Sequence, residues 1–272
     1  MSIVVCIAGM PFATPTLRVA ALLARLENLP VTALTVIERE QDRSRAIAGL
    51  EAAVATLESW PADTVLLKGK PVRQILKYER DNPCSLIVMG ERDGGRTDLF
   101  LSSVVQQVVR QARAPVLVVK QERTSLERIL VCTAAQGPVE PVIGLGAHLA
   151  GLTGARVTLL HVTNPLPGMY AGLESMEELL SELLQTDTPV AQHLRLGAEL
   201  LNRQGLTAAV KLRYGVAAHE ILREAEEGDY DLIVLGKSPR RGTWRGWLSG
   251  NVAREVVDNA QRPVLVLENR TA

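Results

Sequence analysis

Leu232-Ile233-Val234-Leu235-Gly236-Lys237-Ser238-Pro239-Arg240-Arg241-Gly242-Thr243-Trp244-Arg245-Gly246-Trp247-Leu248-Ser249-Gly250-Asn251-Val252 decides the fold. Its opening run is apolar without alternation, the pattern of a strand buried on both faces of a parallel sheet. The strand ends in Gly236, a glycine-rich basic loop follows, and Gly250-Asn251 opens a helix with a natural N-cap. In a doubly wound sheet, ligands bind beyond the carboxyl ends of the strands. A helix N-terminus placed there offers unpaired N–H groups to phosphate.

The same strand occurs once before. Leu86-Ile87-Val88-Met89-Gly90 matches Leu232-Ile233-Val234-Leu235-Gly236 at an offset of 146, as Leu66-Leu67-Lys68-Gly69 matches Leu212-Arg213-Tyr214-Gly215. Upstream the offset is 126: Ile3-Val4-Val5-Cys6 matches Ile129-Leu130-Val131-Cys132, and residues 31–36 match 157–162. The last strands, 115–119 and 263–267, are 148 apart. Five apolar runs recurring in one order mean a duplicated domain. An insertion of 20 residues, about 164–185, falls in the second copy, and its part from Glu174 to Leu180 has an amphipathic helical pattern. Helical patterns also cover 16–26, 71–80, 104–111 and 251–260. Strand and helix in regular succession predict right-handed crossovers and doubly wound α/β domains, 1–122 and 123–272. The two apolar last strands are expected to pair, since each would otherwise be a bare edge.

The 272 residues suit two domains of ordinary size. Lys plus Arg equals Asp plus Glu at 30 each, so no overall field draws the chain to nucleic acid or an anionic membrane. No apolar stretch reaches the length of a membrane span, and the expected location is cytoplasmic. Cys6, Cys84 and Cys132 lie in or beside apolar runs without metal-ligand spacing and read as buried, reduced thiols. His148, His161, His193 and His219 show no metal spacing either, and no metal site is expected. No Gly-x-Ser-x-Gly elbow, P-loop ending or paired carboxylates mark a catalytic centre.

The strand, Gly-x-x-Gly-type loop, Leu-Ser-Gly-Asn-Val helix start and final Pro-Val-Leu-Val strand resemble the nucleotide-binding signature of the universal stress protein family. Both repeats share the likeness. The resemblance implies two tandem Rossmann-like domains, each a five-stranded parallel sheet flanked by helices. In that family an Asp ending the first strand, an apolar residue ending the second and the glycine-rich loop enclose ATP. Carried over, Val162 lines the adenine side, Leu235 and Gly236 lie under the nucleotide, and Gly250, Asn251 and Val252 hold the phosphates. Thr133 and Ala134 stand at the end of the first strand, and Lys237 is placed to meet a phosphate.

This sequence departs from the family pattern. The Asp falls on Ala134 in repeat 2 and Ala8 in repeat 1, and the second glycine of Gly-x-x-Gly falls on Pro239. In repeat 1, Asp93-Gly94-Gly95 and Ser102-Ser103 occupy the loop and phosphate positions, so no cofactor is expected in domain 1. The resulting expectation is a non-enzymatic stress-response regulator binding ATP or ADP in domain 2, with or without magnesium, and assembling as a homodimer. The alternative is an interaction scaffold with both pockets dead. A slow ATPase ranks third.

Overall fold

The computed structural model describes the chain except residues 11, 59, 91–98, 123, 136–137, 164–175, 238–250 and 270–272, and the side chains of 99–102, 176–179 and 251. Two compact units emerge, Met1–Ser125 with Gln261–Val266, and Leu126–Ala260 with Leu267–Ala272.

The first half of the chain runs β1 (Ser2–Cys6), α1 (Thr14–Glu27), β2 (Val31–Ile37), α2 (Arg43–Thr56), β3 (Ala62–Lys68), α3 (Pro71–Asp81), β4 (Cys84–Gly90), α4 (Leu99–Gln111) and β5 (Val116–Val119). Its strands lie in the order β3-β2-β1-β4-β5, all parallel. The second half runs β6 (Arg128–Thr133), α5 (Glu140–Thr153), β7 (Arg156–Thr163), α6 (Met176–Gln185), α7 (Pro189–Arg203), β8 (Ala208–Tyr214), α8 (Ala217–Glu227), β9 (Leu232–Lys237), α9 (Asn251–Asn259) and β10 (Val264–Glu268). There β8-β7-β6-β9 are parallel in the matching order. Chain order reverses between β1 and β4 and between β6 and β9, which opens a crevice at the carboxyl ends of these strands.

In the first unit, Val264, Leu265 and Val266 of β10 pair antiparallel with Val118, Leu117 and Val116. This is the pairing expected of two apolar edges. The central strands are buried along nearly their whole length, as continuous apolar runs require. β3 and β8 differ from that expectation. They close the far edges of their sheets and leave Asp63, Thr64, Ala209 and Lys211 exposed. The insertion's helix is α6, which packs on α7 and β8, and its first part lies outside the described residues.

The duplication extends to backbone detail. α1 ends at Asn28 with φ 52° and α5 at the matching Gly154 with φ 72°, both left-handed C-caps that bind helix carbonyls. After β3 and β8, Gly69 and Gly215 take φ 134° and 149°. Their amides donate to Ile37 and Thr163, again matching positions.

Candidate functional site

The carboxyl ends of β6 and β9 bring Thr133, Ala134, Leu235, Gly236, Lys237 and Val252 to one cavity. Val162 is buried in β7 but does not line it. Asn251 opens α9, and Gly250 lies outside the described residues. His193 of α7 and Asn269 join the lining. The cavity measures about 30 Å³, room for about two water molecules.

Hydrogen bonds tie together the side chains at the end of β6. Thr133 Oγ1 lies 2.7 Å from His193 Nε2 and accepts from the Ala135 amide at 3.0 Å. The hydroxyl can donate to an unprotonated Nε2 or accept from Nε2–H with its second lone pair, according to the tautomer of His193. His161 Nδ1 donates to the Thr133 carbonyl at 3.0 Å. All three side chains are buried. Burial lowers the pKa of His161 against an opposing backbone hydrogen bond. Burial, followed by the His161 charge, lowers that of His193, against Glu140. Ala135 holds φ 52°, a left-handed conformation costly for a residue with a Cβ, tied down by its bond to Thr133. Lys237 is buried beside this group at the end of β9.

The matching positions in the first domain enclose a cavity of about 550 Å³. Cys6 and Ile7 replace Cys132 and Thr133, Met89 and Gly90 replace Leu235 and Gly236, and Val104 and Val105 replace Val252 and Ala253. Its floor is apolar, from Leu34, Val36, Ile37 and Ile75, and its mouth carries Glu38, Arg39, Asp42 and Arg45.

The facing helices account for the difference. Asp42, the N-cap of α2, and Arg45, Ala46 and Gly49 on the helix line the cavity at helical spacing. A Cβ on Gly49 would meet nothing within 4 Å, nor would one on Gly9. Leu50, Ala53 and Leu57 mark the buried face of α2, and Leu194, Gly197 and Leu201 repeat that spacing on α7. In that register His193 stands where Gly49 stands. One cavity is open at the position where the other is filled by an imidazole. Sequence reading passed over His193 because it sought metal spacing; aligning the apolar stripes of α2 and α7 exposes it.

The conserved spacing of Gly90 and Gly236 has a packing cause. A Cβ on Gly90 would come within 2.1 Å of Thr16 Oγ1, and one on Gly236 within 2.8 Å of Val142 Cγ2. These glycines let the first helix of each repeat lie against the strand, whatever else they do for a ligand. The thiols are inert: burial first, then Cys84, pushes Cys6 up to about 12, and burial first, then Glu79, pushes Cys84 to about 11. Cys132 is raised by the same burial. Among the described residues no helix is long and apolar enough to cross a membrane, and no cluster of three His, Cys, Asp or Glu could hold a metal.

The family model for the universal stress protein family matches residues 1–120 and again 125–268. A universal stress protein of Methanocaldococcus jannaschii is 34% identical over 114 residues, 42% of this chain and 65% of that protein. The chain therefore spans less than two thirds of that relative's length. Among solved structures, a universal stress protein from Archaeoglobus fulgidus has a TM-score of 0.73 at 16% identity, covering 98% of both chains. A functionally unknown protein from Pseudomonas aeruginosa has a TM-score of 0.68 at 22% identity, covering 98% of this chain and 92% of that one. These two share the fold. With both halves matched in turn, the chain belongs to the universal stress protein family.

Proposed function

We propose that the protein is a cytoplasmic, non-enzymatic regulatory binding protein that takes one adenine nucleotide per chain, in the cavity of domain 1. The observation that carries this is the contrast in volume at matching positions: about 550 Å³ in domain 1 and about 30 Å³ among the described residues of domain 2. Ligand cavities run to about 300–1,000 Å³. The domain 1 cavity also sits at the switch in strand order, where such sheets bind ligands. Apart from Ala8, whose counterpart Ala134 lacks the Asp as well, the departures that argued against domain 1 concern its phosphate loop, and the cavity volume suits a base and ribose. In domain 2, where the sequence favoured ATP or ADP, the Thr133–His193 pair supports the scaffold reading.

Equilibrium dialysis of the full chain against AMP, ADP and ATP, each with and without magnesium, tests the proposal. One nucleotide per chain is expected, lost in Gly49→Leu and retained in Lys237→Gln. Loss in Lys237→Gln with retention in Gly49→Leu would return the site to domain 2. Assembly as a homodimer belongs to the same reading, and sedimentation equilibrium with and without nucleotide measures it.

A further inference from the structure

Resting on that reading, we propose that Arg39 and Arg45 hold the negative end of the domain 1 ligand. We further propose that the cavity takes a nucleoside monophosphate in preference to a triphosphate. The charges at the mouth come from the segment joining β2 to α2. Glu40 on that segment is already paired, with Arg43 at 3.3 Å and Lys68 at 2.9 Å. Arg39 and Arg45 make no side-chain hydrogen bond or ion pair with another described residue, and both line the cavity. Two guanidinium forks on one wall suit the oxygens of a single phosphate.

Charge balance sets the length of the phosphate chain. Glu38 and Asp42 lie on the same wall and cancel the arginines, leaving no positive surplus for the four charges of a free triphosphate. Glu38 and Asp42 are instead suited to accept from ribose hydroxyls. Phe12, 49% exposed on the cavity wall, offers a flat face to a base. The small residues Ala46 and Gly49 leave the space between this aromatic and charged rim and the apolar floor.

The test titrates the full chain with adenosine, AMP, ribose 5-phosphate and ATP with and without magnesium, in the wild type, Arg39→Gln, Arg45→Gln and the double variant. AMP is expected to bind at least tenfold more tightly than adenosine or ATP. Each arginine variant should weaken AMP about tenfold while leaving adenosine unchanged, the usual effect of losing a charge-assisted hydrogen bond. The AMP preference should shrink as salt rises. An AMP affinity untouched in the double variant, or ATP tighter than AMP, overturns the clamp, while continued adenosine binding keeps the cavity reading. If ribose 5-phosphate binds through the arginines and adenosine does not bind, the clamp stands and the nucleotide reading falls. If none of the four binds, both fall.

Discussion

His193 and Gly49 occupy matching places on α7 and α2, so each can be converted toward the other. His193→Gly should create a second nucleotide site per chain, at a cost of about 1–3 kcal/mol for the hydroxyl of Thr133 left without its partner. Dialysis and denaturant titration of the same variant read both effects. Gly49→Leu should close the domain 1 cavity while raising stability by about 0.5–1 kcal/mol, because leucine is the better helix former and nothing lies in its way. Calorimetry showing lower stability would mean that the helix face is less open than its geometry indicates. The two histidines also give domain 2 a pH dependence. Both have folded pKa values below the ordinary 6.5. Above 6.5 they are neutral folded or unfolded and pH changes nothing. As pH falls below 6.5 the unfolded chain takes up protons first, and stability declines until the folded histidines titrate in turn. Thermal melts of wild type and His193→Gln between pH 7.5 and 5 should show a shallower decline in the variant.

At the scale of elements, β8 and α8 carry an ionic group that the first repeat lacks. Glu224, fully buried on α8, receives Lys211 Nζ at 2.7 Å, Arg213 Nε at 2.6 Å and the Tyr230 hydroxyl at 3.1 Å. Burial raises its pKa, but the hydrogen bonds and charges of Lys211 and Arg213 outweigh that and hold it below the ordinary value. The matching positions 65, 67 and 78 are Val65, Leu67 and Tyr78. Removing the carboxylate takes a partner from Lys211, which is half exposed, and from Arg213, which keeps Glu220 and Glu227, so Glu224→Ala should destabilise domain 2 by about 1–3 kcal/mol in urea unfolding. Its contribution is present above pH 4.5 and fades as pH falls through the lowered folded value. The strands and their order were legible in the sequence because β1, β4, β6 and β9 are continuous apolar runs repeated at fixed offsets. β3 and β8 were legible only through their glycines, since edge strands lose the apolar signature. The candidate site was half legible. Thr133, Ala134, Leu235, Gly236, Lys237 and Val252 follow from strand ends, which sequence locates well. The side chain that fills the space comes from a helix face, and only the register of α2 against α7 reveals it. The openness of the domain 1 cavity was hidden for the same reason: it follows from the absence of a side chain at Gly49.

At the scale of the whole molecule, the first compact unit needs a segment from far along the chain, since it takes in Gln261–Val266. Expressed without that segment, residues 1–125 would present Val116–Val119 as a bare apolar edge, the usual template for self-pairing. Such a fragment should associate with itself, and adding a peptide of residues 261–268 should reverse this; a stable monomer by light scattering would count against β10 as the cover. On the ribosome the same feature becomes a delay. About 145 residues separate β5 from β10, so at 5–20 residues per second the nascent β5 waits roughly 7–30 s for its neighbour to be made. During that wait the growing protein depends on chaperones, or on the spacing between ribosomes, to keep one unfinished edge from finding another.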